Sequence, residues 1–478
     1  MKKINNINKV FTFLAIAVVV LGCERGLSDD VQFASFPSDG DIFTDAPVGL
    51  TDEFFVSFDP AAGANPDGFG TDDNEAFEGR SSIRIDVPAP NDPNGGFIGG
   101  IFLDRGNGRD LSGFDALTFW AKSSTTATVG LAGFGTDFVQ NKFAVARENI
   151  QLSTDWRKYT IPIPDPSKLI QEKGMFIFSA GSNSTNGFGF TFWIDELRFE
   201  NLGTVAQPRP RIFSGQDLIQ QSFIGTTLGT TGLTQTFNVE DGSNVTVGVS
   251  PSYFDFESSN IDVAFVNELG QISVIGEGTA TITAQLGGVL AEGSLEITSI
   301  GAFDFAPTPT QDPSSVVSLF SDAYTDIPVS RYNSFFEPFQ NTLGGVVPVG
   351  DQSIISYTDL NFVGIVFNDV IFPAEAVAPV NATNLNTLHI DINVQEALQS
   401  GDRLLLQLTN YGATETVGSY LINGSELAQD TWVSFDIPLS SFSGLTDLSR
   451  IGLLLFNSED GPANPTISNL FIDNIYFY

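Results

Sequence analysis

The residues best equipped for chemistry in this 478-residue chain are aspartates set at a repeated spacing. Asp45 and Asp195 stand 150 positions apart, and Asp322 and Asp473 stand 151 apart. Their carboxylate oxygens suit Ca²⁺, which gathers roughly six to eight oxygen ligands. Each Asp would serve equally well as a turn cap or a strand end. A second set of residues suits sugars. A pyranose needs a flat aromatic face for its C–H side, and amides, carboxylates or Arg for its hydroxyls. Phe134, Asp137, Phe138, Gln140 and Asn141 form one such group. Tyr411 marks another, and Tyr332, Phe335, Phe336 and Phe339 form an aromatic cluster. Aromatic residues beside Gly at strand ends can also simply seal a sandwich.

Other chemistry is poorly provided for. The chain has one cysteine, Cys23, and one histidine, His389. An internal disulfide is therefore impossible, and His-based zinc sites and His-dependent triads are disfavoured. No nucleophile-elbow or phosphate-loop motif occurs. His389, in the strand-like run TLHIDI, reads as structural. The formal charge of −36 repels phosphate backbones and argues against a nucleic-acid partner. Lys173 is the last lysine, and after Ile212 only Arg331, Arg403 and Arg450 are basic. Catalytic carboxylates pair in space rather than in sequence, so a pair from distant loops stays open.

The elements that must position these groups are short strands. Gly (47) and Phe (43) are abundant, and runs such as SSIRIDV (81–87) alternate as half-buried strands do. The motif DWRKYTIPI (155–163) followed by FTFWIDELRF (190–199) returns as DTWVSFDIPL (430–439) and NLFIDNIYF (469–477). Four further echoes keep the same order: FTDA and FSDA, FIGGIFLD and FVGIVFND, LSGFDALTF and ATNLNTLHI, LAGFG and LTNYG. One sandwich, present twice, is expected over 41–203 and 314–478. A compositionally distinct segment, 204–300, and a Pro-rich linker, 301–313, separate the copies. Trp120, Trp156, Trp193 and Trp432 all lie in the repeated strands and are expected mainly in cores. Trp120 and Trp193 are the better outward candidates, because Phe119 and Phe192 precede them and neighbouring strand residues face opposite sides.

The first 22 residues read as a signal peptide, with Lys2 and Lys3 before the apolar run FTFLAIAVVVLG. Its end, VVVLGC, resembles the lipobox of bacterial lipoproteins, which implies lipidation of Cys23. The following ERGLSDD is similar to the surface-export signal of Bacteroidetes lipoproteins, with 23–40 as a tether. Together these imply an outer membrane lipoprotein facing the extracellular side.

GFDALTFWAK, W-x-x-Y-x-I-P and FWIDELRF resemble the jelly-roll carbohydrate-binding modules of bacterial polysaccharide-degrading systems. The segment 314–478 resembles the modules on family 16 laminarinases. SSN (258–260), Gly270 and GEGTATITA from Gly276 resemble bacterial immunoglobulin-like group 2 domains. The implied fold class is all-β: two jelly-roll (galactose-binding-like) β-sandwiches separated by an immunoglobulin-like β-sandwich. In jelly rolls the first and last strands lie close together. That would bring Asp45 near Asp195 and Asp322 near Asp473, where related modules carry structural calcium. The implied function is capture of a neutral polysaccharide, such as a laminarin-type β-1,3-glucan, beside a surface glycan transporter complex. Two alternatives from other classes stand: a glycoside hydrolase, although the E-x-D-x-x-E pattern of family 16 is missing, and a structural or adhesive surface protein.

Overall fold

The computed structural model describes residues 35–51, 54–334, 336, 338–458 and 467–478. The signal peptide, Cys23 and Phe335 lie outside the described residues. Among the described residues the chain is all-β, and helix is limited to single 3-10 turns such as Pro166–Lys168. Several of these turns begin at an Asp-Pro pair. Asp59, Asp165 and Asp312 each accept the N–H of the residue two positions on. The chain divides into two compact units, 1–205 with 239–245, and 206–238 with 246–478.

The first unit holds eleven strands: β1 (Asp41–Phe43), β2 (Phe55–Ser57), β3 (Phe69–Asp72), β4 (Ser82–Val87), β5 (Phe97–Leu103), β6 (Ala116–Ser123), β7 (Ala127–Phe134), β8 (Val145–Leu152), β9 (Arg157–Pro162), β10 (Gly174–Gly181) and β11 (Phe190–Glu200). One sheet runs β3-β4-β11-β6-β9, with β1 on β11; the other includes β8-β7-β10-β5-β2. The strands alternate as their sequence predicts: Ile83, Ile85 and Val87 are buried while Arg84 and Asp86 are exposed. Between the sheets lies a core built largely of phenylalanine. Phe102 packs edge-on against Phe54 at 4.9 Å and Phe178 at 6.3 Å, and Phe119 packs against Phe176 at 5.7 Å.

The next strands along the chain are β12 (Ala206–Arg211), β13 (Asp217–Ile224), β14 (Thr227–Gly229), β15 (Thr234–Asn238), β16 (Asn244–Val249), β17 (Asp255–Ser258), β18 (Ala264–Val266), β19 (Gln271–Val274), β20 (Gly278–Leu286), β21 (Val289–Leu290) and β22 (Ser294–Ala302). Here β13-β22-β20-β17 and β14-β19-β18 form two sheets. A hairpin joins β18 to β19 at Gly270. Gly270 has φ +70°, and Asn267 Oδ1 accepts from the Leu269 and Gln271 N–H groups.

Eleven more strands follow: β23 (Val317–Phe320), β24 (Arg331–Ser334), β25 (Leu343–Val349), β26 (Gln352–Thr358), β27 (Phe362–Val366), β28 (Thr387–Val394), β29 (Arg403–Tyr411), β30 (Glu415–Asn423), β31 (Trp432–Pro438), β32 (Ile451–Asn457) and β33 (Leu470–Phe477). Their sheets run β25-β26-β33-β28-β31, with β23 on β33, and β24-β27-β32-β29-β30. Shifting every label by twenty-two reproduces the N-terminal order strand for strand. The duplication read from short echoes is thus a duplication of topology. The core chemistry has changed, however. Leu388, Ile390, Leu404, Leu406 and Leu454 now dominate, with Tyr357, Phe367 and Phe456 among the few rings.

None of the four tryptophans is in a core: all are half-buried. The expectation that Trp156 and Trp432 fill cores is corrected here. Phenylalanine already fills the N-terminal core and aliphatic side chains the C-terminal one, so the indoles remain at the faces and ends of sheets.

Candidate functional site

In both copies the closing strand carries a β-bulge at the predicted aspartate. The β11–β6 register shifts between Asp195 and Arg198, and Glu196 sits at φ +49°. The β33–β28 register shifts between the Asp391–Asp473 and His389–Tyr476 pairs, and Asn474 sits at φ +50°. Each Asp accepts the N–H of the bulged residue after it, at 2.8 Å for Glu196 and 2.7 Å for Asn474. The bulge thus needs its Asp, and the motifs FWIDE and FIDN are this bulge.

Beyond that the two sites differ. In the first copy the loop 73–81 supplies backbone N–H groups. Phe77 and Glu78 donate to Asp195 Oδ2 at 2.7 and 3.1 Å, and Arg80 and Ser81 donate to Asp45 Oδ1. Gly79, at φ +69°, allows the loop to wrap the Asp45 carboxylate; a Cβ there would meet Oδ1 at 2.2 Å. Those N–H groups hold Asp45 below its usual range. Asp195 is fully buried, and burial pushes its carboxyl up, opposed by the N–H donors and reinforced by nearby Asp45. The fold therefore brings these two aspartates together and surrounds their oxygens with hydrogen-bond donors.

In the second copy the donors are fewer and the acids more numerous. Asp322 accepts from Ser353 N–H at 2.8 Å. Asp391 lies beside Asp473 across β28 and β33, at the position where the first copy has Trp120 beside Asp195. Asp391 is fully buried; Oδ2 accepts from Asn474 Nδ2 at 2.7 Å, while Oδ1 faces His389 Nε2 at 3.5 Å. Burial pushes Asp473 up to about 7, opposed by the Asn474 N–H and reinforced by Asp322, Asp391 and Asp326. Among the described residues no three His, Cys, Asp or Glu side chains form a ready metal group. A cation here would need backbone or water oxygens as well. His389 lies next to this cluster, with Nδ1 2.7 Å from Asp436 and its ring stacked on Tyr476 at 4.6 Å. Burial lowers its pKa, but the bonds to Asp391 and Asp436 outweigh burial and raise it.

The candidate sugar contacts are divided by the fold. Phe134 is fully buried and packs against Phe199 at 5.4 Å, which removes it from any ligand surface. Asp137 and Asn141 tie the following loop into a knot. Asp137 Oδ1 accepts from the N–H groups of Val139, Gln140 and Asn141, and Asn141 Oδ1 accepts from those of Asp137 and Phe138. Burial would raise the Asp137 carboxyl, but these bonds outweigh it and hold it low. The knot presents Phe138, 47% exposed, and the Gln140 side chain outward. Beneath it is a cleft of about 320 Å³ lined by Asp137, Gln140, Lys142, Lys168, Glu172 and Lys173, among others. Glu172 is buried, and Oε1 accepts from Lys173 and Gly174 N–H at 2.8 Å. Desolvation raises it to about 7 against those two bonds, with the Asp137 charge adding to the rise.

In the second copy Tyr411 lies at the same sandwich end. Arg450 Nε donates to its carbonyl at 3.0 Å, and Arg450 Nη2 pairs with Asp369 at 2.7 Å. A guanidinium and a carboxylate, both able to bond hydroxyls, are therefore held beside the Tyr411 backbone. Tyr332 turns inward instead: its hydroxyl donates to Leu319 O at 2.8 Å and its ring packs on Phe320 at 5.4 Å. That internal bond removes it from the candidate contacts. Phe336 lies over Gly364 and stacks on Phe362 at 6.3 Å, while Phe339 is 74% exposed.

One residue escaped the sequence reading. Phe58 lies across Gly99, where a Cβ would meet its ring at 2.6 Å, and its ring is 5.8 Å from that of Phe138. This is the first-copy counterpart of Phe336 over Gly364. The signal was present as glycine within a strand, which marks close approach of another group.

Residues 44–201, the N-terminal sandwich, match the family profile described as Carbohydrate binding domain 30. Among solved structures, the chain is similar to the family 30 carbohydrate-binding module of the cellulosomal cellulase Cel9D-Cel44B of Clostridium thermocellum: 17% identity, 34% of this chain, 98% of that one, TM-score 0.24. A family 11 carbohydrate-binding module from Clostridium thermocellum, solved with a β-1,3-1,4-mixed-linked tetrasaccharide, matches at 18% identity over 34% of this chain and 94% of that one, with a TM-score of 0.23. A β-1,2-glucanase from Parabacteroides distasonis matches at 10% identity, 55% and 39% coverage, and a TM-score of 0.25. No curated protein matches the chain. The family match supports a carbohydrate-binding domain in the N-terminal sandwich.

Proposed function

We propose that this protein is a cell-surface glycan-binding lipoprotein that captures a neutral polysaccharide, such as a laminarin-type β-1,3-glucan, for a polysaccharide-utilisation system. One observation carries the reading: the carbohydrate-binding family match at 44–201 falls on a sandwich that displays half-buried and exposed rings beside hydroxyl-bonding side chains. The lipobox-like VVVLGC supports an anchor at Cys23 in the outer membrane, and a surface glycan transporter is the partner this placement implies. Affinity electrophoresis against laminarin, barley β-glucan and hydroxyethylcellulose tests the reading. Retardation by at least one glycan is expected; migration unaltered by all of them would end it.

A structural Ca²⁺ belongs to the proposal for the C-terminal sandwich. Asp473 and Asp322, with the buried Asp391 Oδ1, would hold it, and its charge would relieve their mutual repulsion. The N-terminal pair, Asp45 and Asp195, fits less well, because backbone N–H groups already take up its oxygens. The hydrolase reading has one observation in its favour. Glu172 is raised beside a lowered Asp137, and acid–base pairs are built from carboxyls whose pKa values are pushed apart. Release of reducing ends from the retarding glycan would reveal that activity.

A further inference from the structure

The outward face of the first sheet carries a group of aromatic residues not used above. Trp120 on β6 and Trp193 on β11 point away from the core that Phe119 and Phe192 enter, and Trp156 stands just before β9. Trp193 Nε1 donates to Asp72 Oδ2 at 3.1 Å, which fixes the tilt of the indole. The Lys122 ammonium lies 5.5 Å from the Trp193 ring centre and 6.0 Å from that of Trp156, held by Glu75 at 2.8 Å. Arg84, paired in register with Trp193, and Asp86 form an ion pair whose side chains are 44% and 50% exposed. Phe77 covers Trp120, stacked at 3.7 Å.

The duplication shows what this face accepts. Phe471 precedes Asp473 by two positions, as Trp193 precedes Asp195, and pairs with Asn393 as Trp193 pairs with Lys122. Around Phe471 the face is filled by groups from outside the sandwich. Phe223 lies at 5.6 Å and Phe303 at 5.5 Å, both edge-on. Trp432, the counterpart of Trp156, has Phe303 at 6.3 Å, and its Nε1 donates to Asp304 O at 2.6 Å. A planar apolar ring followed by a polar acceptor therefore occupies this position in the second copy. A pyranose offers the same combination: an apolar C–H face with oxygens at its edge.

We propose that the Trp156–Trp193 face of the N-terminal sandwich binds a glucose-type pyranose unit of the captured glycan, and that the matching C-terminal face is devoted to internal packing. The sugar ring stacks on the indoles, and Arg84, Asp86 and Glu75 serve its hydroxyls. Glycan capture by this face is thus one-sided, on the first sandwich only. The inference rests on the glycan-binding reading above and adds the surface on which binding occurs.

The test uses the mature chain and whichever of laminarin, barley β-glucan or hydroxyethylcellulose retards it. Trp193→Ala and Trp156→Ala should each weaken the association constant about tenfold or more, the scale of a buried aromatic anchor. Arg84→Ala, at an exposed position that leaves the fold intact, should weaken it severalfold. Phe471→Ala should leave it within twofold, and glycan should quench the tryptophan fluorescence of the wild type. Undiminished binding by Arg84→Ala and by a Trp193→Ala protein with native near-ultraviolet dichroism would overturn this inference while leaving glycan binding in place. A wild type that binds none of the probes would overturn the glycan-binding reading itself. A loss in Phe471→Ala equal to that in Trp193→Ala would overturn the one-sided assignment.

Discussion

Replacing Glu172 by glutamine tests the electrostatics of the N-terminal cleft. Its carboxyl is 7% exposed and is raised from 4.5 to about 7, chiefly by desolvation. The folded protein therefore holds this proton more tightly than the unfolded chain does between those values. Stability from this group is present below pH 4.5 and is lost as pH climbs to 7. A shift of that size corresponds to about 3 kcal/mol when fully expressed. Glutamine mimics the protonated form and keeps an acceptor for the Lys173 and Gly174 N–H groups. Glu172→Gln should therefore match the wild type near pH 4 and exceed it at pH 8 by up to about 3 kcal/mol. The Asp137 charge adds to the rise, so added salt, which screens it, should reduce the gain slightly. Urea unfolding followed by tryptophan fluorescence is a suitable assay, because Trp120, Trp156 and Trp193 all report on this sandwich. Equal or lower stability of the variant at pH 8 would refute the assignment of a buried, strained carboxylate.

Three further outcomes follow from named contacts. Chelator should lower the melting temperature of the C-terminal sandwich and spare that of the N-terminal one, and Asp473→Asn should abolish the chelator effect; calorimetry showing no effect of chelator on either transition would remove calcium from the account. Arg109, 3% exposed, donates to the carbonyls of Asp39, Asp41 and Val48 and lies 3.8 Å from buried Asp104. Arg109→Met should cost about 3–5 kcal/mol in urea melts, since it strands a buried carboxylate. Gly99→Ala should lift Phe58 from the sheet and cost about 1–3 kcal/mol, because the new Cβ meets the Phe58 ring at 2.6 Å and Phe178 O at 2.8 Å; a variant as stable as wild type would show that the ring yields freely.

What could be read from the sequence was set by how far each signal reaches along the chain. Strand alternation is local, so all-β structure was legible from SSIRIDV, and the duplication of one sandwich from echoes such as FIGGIFLD and FVGIVFND. The outward direction of Trp120 and Trp193 was legible for the same reason: a preceding core Phe fixes the side of its neighbour. Contacts between distant loops were not. Nothing in LAGFG says that Phe134 closes on Phe199, and nothing in SRYNS says that the Tyr332 hydroxyl reaches Leu319 O. Trp156 and Trp432 were misjudged because whether a ring is needed in a core depends on what else fills that core.

The aspartates show how duplication and divergence separate structure from function. Both copies keep the Asp whose side chain caps the bulge, because without it the positive-φ residue after it loses its hydrogen bond. The partners of that Asp were free to change, and they changed in opposite directions. The first copy turned a loop inward, fed backbone N–H groups to the carboxylates, and laid Phe77 over Trp120. The second copy put Asp391 where Trp120 stands, gathering negative charge and setting a buried oxygen 3.5 Å from His389 Nε2. The same single exchange removes an indole from the sheet face and creates the acidic pocket. It follows that the two sandwiches cannot serve one ligand in the same way. Asp391→Trp should accordingly shift the C-terminal sandwich toward the first copy: loss of any chelator sensitivity, with no gain in glycan affinity while Phe303 and Phe223 still cover Phe471. A gain in affinity from that substitution alone would show that coverage of the face, rather than its composition, has been misjudged.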